Sequence, residues 1–279
     1  MKTILASDVT VRLASEIANA AFILSDDISE LLNRALSQEK NKRASFFLSQ
    51  IVENATIAER KRIPLCQDTG TVVVWATVGQ SVCIRGSLPA ALTRAVSIAY
   101  TENPLRKSIV ANPFDRKNTG DNTPPVIHTD FIDGGTLTIR FLLKGGGSEN
   151  VSKIGMLTPS DAKQGVVEFV KTTVREAGAS PCPPILLGIG VGGTFDTVGW
   201  LAKKALFRDF RQPSSDPQDA RFEKELLSAV NDLDIGPAGM GGPRTCLGVN
   251  VITAPCHIAS LPVAVCIQCH SHRKGMLIC

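Results

Sequence analysis

Aromatic residues are scarce in this 279-residue sequence: they make up 5% of it, with a single tyrosine. A platform for single-stranded nucleic acid needs several rings to stack on bases, so that class finds no support. No long basic run is present and the formal net charge is only +4, which leaves no electrostatic footprint for a polyanion. No uninterrupted apolar stretch approaches the ~18 residues of a membrane span. The first residues also lack the apolar run and small-residue cleavage site of a secretory leader, because Asp8, Arg12 and Glu16 interrupt them. We therefore expect a cytoplasmic chain with neither nucleic acid nor membrane as partner.

Cysteine is what the sequence does have. There are eight, unevenly spread: Cys66, Cys83 and Cys182 stand apart, whereas Cys246, Cys256, Cys266, Cys269 and Cys279 crowd the C-terminal stretch. In a reducing compartment such usage points to metal binding or catalysis before disulfides. The length admits one large or two modest domains with a sizeable core.

The hydrophobic pattern predicts a mixed α/β fold, with an N-terminal helical subregion (1–62) leading into an α/β region of interleaved strands and helices (63–279), read as one domain. Val9, Leu13, Ile17 and Ala20 sit at helical spacing after Ser7 or Asp8 as N-cap, and a second helix opens at Asp26 or Asp27. A third, over roughly residues 40–60, is expected to bury Phe46, Phe47, Ile51, Ala55 and Ile57. A strand follows at 71–78, then a helix after Ser87 that stops before Asn103-Pro104. Asp133-Gly134-Gly135 predicts a hairpin joining strands at 126–132 and 136–143. Further helices are expected at 160–177, 195–206 and 220–232, and strands at 185–189, 247–253 and 262–268.

Four patterns carry possible chemistry. Ile63-Pro64-Leu65-Cys66-Gln67-Asp68-Thr69-Gly70 reads as a loop bringing a thiol, an amide and a carboxylate to the mouth of a strand. Polar neighbours of that kind need water or a ligand. Gly188-Ile189-Gly190-Val191-Gly192-Gly193 satisfies the dinucleotide-binding glycine pattern, although a Cys-Pro-Pro lead-in is foreign to that fingerprint. Cys266 and Cys269, with His257, His270 and His272 nearby, offer half of a zinc site and no second close pair. Finally, Cys66, Cys182 and Cys269 each sit in a polar or Pro/Gly-rich setting with special residues after them. Three distant thiolates meeting at one 4Fe–4S cluster account for that scatter, with one iron left open as a Lewis acid.

The chain resembles the α subunit, or N-terminal catalytic domain, of the class I iron–sulfur hydro-lyases, fumarate hydratase and L(+)-tartrate dehydratase. The matching segments are Pro64–Gly70, Lys144-Gly145-Gly146-Gly147-Ser148-Glu149-Asn150, Cys182-Pro183-Pro184 with Gly190–Thr194, Ile235-Gly236-Pro237 with Gly239 and Gly241-Gly242, Thr253–His257, and Leu261–Val265 leading to Gln268-Cys269. They span nearly the whole chain in family order. The resemblance implies that Cys66, Cys182 and Cys269 hold a 4Fe–4S cluster. It implies that Gln67 and Asp68 face the substrate, that Arg106 holds a substrate carboxylate, that Gly146 offers it a backbone N–H, and that His257 lies near it. Asp68 and His257 are then the expected catalytic residues, and Gln67, Arg106 and Gly146 the substrate-binding ones.

Two departures qualify the match. The sequence stops soon after the third cysteine, so a separate β subunit is expected to supply further arginines and the proton-abstracting group. Cys269 is followed by His270-Ser271-His272-Arg273, where the family more often has an aromatic or small residues before arginine. The expected activity is hydration or dehydration of a small dicarboxylate, fumarate/malate first and L(+)-tartrate second. A non-catalytic zinc or iron–sulfur protein is the alternative of another class.

Overall fold

The computed structural model describes residues 2–279. The first half runs β1 (Lys2–Leu5), α1 (Ala6–Phe22), α2 (Asp26–Gln38), α3 (Lys42–Lys61), β2 (Thr71–Gly79), β3 (Val82–Arg85), α4 (Leu88–Thr101), β4 (Val126–Ile132) and β5 (Leu137–Lys144). The second half adds α5 (Gly146–Glu149), β6 (Lys153–Leu157), α6 (Ala162–Ala177), β7 (Ile185–Gly193), α7 (Phe195–Ala205), α8 (Pro217–Asn231), β8 (Cys246–Cys256), β9 (Leu261–Gln268) and β10 (Arg273–Ile278). The mixed α/β class is as the sequence predicts. Two compact units divide the chain. One comprises the residues up to Ser25 with Asn54–Gly146 and Ser271–Cys279, and the other comprises Asp26–Glu53 and Gly147–His270.

In the first unit, strands in the order β10-β5-β2-β4 form a mixed sheet, and β1 pairs with β3 alongside. Val9, Leu13 and Ile17 of α1 and Leu92, Ala95 and Ala99 of α4 pack in one core with Val72, Val74 and Ala76 of β2. Strand geometry sends alternate residues to opposite faces, yet Val73 and Trp75 between them are buried too. β2 is thus covered on both sides, which is why it reads as an unbroken apolar run. The predicted hairpin fails for the same reason. The turn at 133–135 exists, but β2 lies between the two strands, parallel to β4 and antiparallel to β5. A strand apolar on both faces takes the centre; β4, largely exposed, takes the edge.

Two smaller expectations also shift. α1 begins at Ala6 with Leu5 as a cap that makes no side-chain hydrogen bond, so neither Ser7 nor Asp8 caps it. In α3 the buried positions are Ala44, Leu48 and Ala58, while Phe46 is 59% exposed. Ile51 and Ala55 lie half-buried on that stripe, and Phe46 falls some 200° around the helix from Ala44.

The second unit holds a sheet ordered β6-β9-β7-β8, in which β7 runs parallel to β8 and antiparallel to β9. Val166, Val170 and Val174 of α6 and Leu226 and Val230 of α8 share a core with Leu187 and Ile189 of β7. The alternate residues, Gly188 and Gly190, meet α7. A Cβ on Gly188 would lie 2.1 Å from the Ala202 carbonyl oxygen, and one on Gly190 2.4 Å from that of Val198. The glycine pattern therefore lies inside a strand and lets a helix sit against bare backbone. Inside this unit the buried Glu223 accepts from Arg208 and from the backbone N–H groups of Ser214 and Val251, so its charge is fully met. Among the described residues, no helix is long and apolar enough to cross a membrane.

Candidate active site

The Cys66–Gly70 loop of the first unit joins α3 to β2 and is built around Asp68. The Asp68 Oδ1 accepts the Gly70 N–H at 3.1 Å and Oδ2 accepts the Gly146 N–H at 2.7 Å. Its carbonyl oxygen accepts from Arg273 Nη1 at 2.7 Å. Cys66 is half-buried and its thiol points at Oε1 of the exposed Gln67, 3.6 Å away. Arg106 follows the buried Leu105, and its carbonyl accepts from the Thr69 hydroxyl, which brings the exposed Arg106 beside the loop. Cys66, Gln67, Asp68, Arg106 and Gly146 are thus gathered in one place. The Gly146 N–H, expected to await a substrate carboxylate, here serves the carboxylate of Asp68.

Below the loop lies a buried polar layer that sequence reading missed. The Tyr100 hydroxyl sits 2.7 Å from the Thr69 carbonyl oxygen and 3.1 Å from that of Gly70. Burial, ahead of every other influence, pushes this phenol well above its usual range, so it stays a neutral donor. Asn122 donates to the Gly70 carbonyl at 3.0 Å and accepts the Ser108 N–H at 2.7 Å. Gly70 itself (φ +81°) passes so close to the Lys144 backbone that a Cβ would come within 2.8 Å. The only tyrosine in the sequence and an asparagine between Asp121 and Thr123 were the available signals, and neither type announces a support role.

In the second unit, Cys182 precedes β7 and Cys269 follows β9. Leu186 pairs with Gln268 across these antiparallel strands, so both cysteines fall at the same end of the sheet. A hydrogen bond of 2.9 Å between His270 Nδ1 and the Cys182 carbonyl oxygen links them. Cys182 is exposed at φ +55°, a left-handed conformation that costs a non-glycine residue and is held by the surrounding turn. Gln268, fully buried, fixes the strand end by accepting from the Ser148 hydroxyl at 3.1 Å.

His257 is elsewhere. It lies in the turn after β8 with its Nδ1 accepting the Ala259 N–H at 3.2 Å, and lines a cleft of about 400 Å³ with Lys163, Phe222 and Leu261. β9 separates that turn from Cys269 by its whole length, about 24 Å at ~3.4 Å per residue. The fold brings Cys182 and Cys269 together and leaves His257 at the opposite end of the same sheet.

The donor chemistry suits an iron–sulfur cluster. All the cysteines are unbridged; Cys182 is exposed and Cys66 and Cys269 are partly so, while Cys246, Cys266 and Cys279 are buried. Burial raises the Cys246 thiol to about 12, which keeps it protonated and inert. Among the described residues, no three His, Cys, Asp or Glu side chains gather around a single point as a zinc ion requires. A cuboidal cluster spreads its thiolates over separate corners and makes no such demand.

Residues 10–277 match the family described as fumarate hydratase (Fumerase). A Methanocaldococcus jannaschii chain provisionally named L(+)-tartrate dehydratase subunit alpha is 40% identical over 277 residues, 97% of this chain and 96% of the relative. The L(+)-tartrate dehydratase subunits alpha of Escherichia coli strain K12 and Shigella sonnei are each 31% identical over 275 residues, 96% of this chain and 90% of the relative. The chain therefore belongs to the fumarate hydratase family and is a hydro-lyase.

Proposed function

We propose that this chain is the α subunit of a 4Fe–4S hydro-lyase that adds water to, or removes it from, a small dicarboxylate in the cytoplasm. The observation that carries this reading is Asp68, whose carboxylate is fixed by two backbone N–H groups and whose main-chain carbonyl is held by an arginine, on a loop that also bears an accessible thiol. The family description favours fumarate and malate as the first substrate pair to assay. The names of the relatives make L(+)-tartrate the second, with oxaloacetate as its product. Those names also speak of an alpha subunit, and a β subunit is the expected partner.

Cys66, Cys182 and Cys269 would hold the cluster. When bound, it supplies Lewis acidity toward the departing or entering hydroxyl. The rest falls to the protein. Removing a proton beside a carboxylate loads that carboxylate with negative charge, which the Arg106 guanidinium meets with paired donors. Gly146 adds its N–H once Asp68 releases it. Gln67 orients the substrate, and Asp68 holds or transfers the proton of the hydroxyl. The base that takes the carbon-bound proton is assigned to the β subunit.

His257 needs a separate account, because β9 keeps it about 24 Å from Cys269 by the ~3.4 Å rise of a strand. The reading that keeps it catalytic is that it serves the site of a second copy of the chain. Co-expressing a Cys182→Ser chain with a His257→Ala chain, each inactive alone, should then restore about a quarter of the activity through random dimers. No recovery would overturn the reading that His257 serves a second copy.

The ligand set is tested by thiol footprinting. In the cluster-free chain, iodoacetamide at pH 8 should modify Cys182, Cys66, Cys269 and the exposed Cys256, but not Cys246. Anaerobic reconstitution with iron and sulfide should protect the first three and leave Cys256 reactive. Protection of Cys256 in place of any of the three would overturn the assignment.

A further inference from the structure

Arg273 is 1% exposed, at the start of the edge strand β10, and two of its three nitrogens are engaged. Nη1 donates to the Asp68 carbonyl oxygen at 2.7 Å and Nε to the Ser271 carbonyl oxygen at 3.2 Å. Nη2 is buried with no acceptor at all. An enclosed guanidinium N–H without a protein partner is costly, and such a donor in a native fold calls for a functional explanation. The Asp68 carboxylate borders the same space. A Cβ on the buried Gly145 would lie 3.2 Å from Asp68 Oδ2 and 3.7 Å from Arg273 Nη2, so the two atoms share one small space without bonding.

Resting on the hydro-lyase reading, we infer that Arg273 is a positioning residue that exchanges donors with Gly146 as substrate binds. In the free enzyme the Gly146 N–H holds Asp68 Oδ2. A dicarboxylate that claims this N–H strips Oδ2 of its donor, and a small rotation of the Asp68 side chain carries it onto Nη2. Nη1 stays on the Asp68 carbonyl, so the main chain of the catalytic loop does not move. The orphaned donor is thus the receiving end of a handover: it clears Gly146 for the substrate and keeps Asp68 aimed. A lysine in this place has one head group for three tasks and cannot hold carbonyl and carboxylate in a fixed fork.

Two measurements on the reconstituted complex test this. In crystals grown with succinate, an unreactive dicarboxylate, Asp68 Oδ2 should lie about 2.8 Å from Arg273 Nη2, with Gly146 N–H on the succinate. In kinetics, Arg273→Lys should lower kcat about tenfold or more with KM changed less than about threefold, at unchanged cluster content and melting temperature. Asp68 remaining on Gly146 with succinate bound, or an Arg273→Lys enzyme with wild-type kcat, would overturn the handover and leave the hydro-lyase reading intact. A wild-type complex that binds no succinate and turns over neither fumarate nor tartrate would remove both.

Discussion

Asp68→Asn should lower kcat by about 10²–10³-fold, the range a positioned acid–base group contributes. The side chain keeps its shape, so KM should move little, but on the proposed mechanism the carboxylate that engages the substrate hydroxyl is lost. Local geometry adds a second penalty. Both carboxylate oxygens accept backbone N–H groups, from Gly70 and from Gly146. An amide has only one acceptor oxygen, so its NH₂ must face one of those donors, costing about 1–3 kcal/mol. Steady-state kinetics on the reconstituted complex, beside a urea melt of the α chain, separates the two losses. A kcat within threefold of wild type would take Asp68 out of the chemistry whatever the melt shows.

The largest effect on stability is expected at Gly188. Adding a Cβ there places it 2.1 Å from the Ala202 carbonyl oxygen and 2.9 Å from Leu206 Cγ, and the oxygen belongs to the backbone of α7. Backbone cannot swing aside as the end of a side chain can, so α7 must lift from β7. That exposes Val198, Leu201 and Ala202, all buried. Gly188→Ala should cost more than about 3 kcal/mol, the upper end for overpacking a well-filled core. Gly135→Ala is the matched control. Its Cβ would meet only Ser81 Cβ at 4.0 Å, and its cost should stay within about 0.5 kcal/mol. Denaturant midpoints for the two variants decide the matter, and equal midpoints would mean that the helix can give way.

Gly188 also shows what a glycine pattern leaves open in a sequence. A glycine pattern between a strand and a helix suggests a phosphate cradle, yet the same residues are needed wherever a helix lies on bare strand, and spacing alone does not separate the cases. Periodicity located nearly every helix and the long strands, since it reports which face is buried. It could not say that β2 divides β4 from β5, because a turn of three residues fits a hairpin equally well. The short strands β1, β3, β6 and β10 were missed, being too brief for alternation to rise above chance. The site divides in a similar way. Cys66, Gln67, Asp68, Arg106 and Gly146 stand out in the sequence by residue type and order, and the structure gathers them on and beside one loop. Arg273, Tyr100 and Asn122 do not stand out, since their roles come from the backbone carbonyls they meet. His257 stands out by residue type, but its distance from Cys269 follows only from the run of β9.

The way the first unit is stitched together has a consequence for biosynthesis. Its sheet takes strands from the stretch before residue 146, but its last edge strand, β10, comes from beyond residue 270. Most of the second unit is made between these two contributions. A ribosome therefore delivers the Cys66 loop early, then more than a hundred residues destined for other partners, and only afterwards the strand carrying Arg273. Pairings this distant in sequence are slow to close. Until they close, the nascent chain presents the Cys66 thiol on a loop whose anchor has not yet been translated.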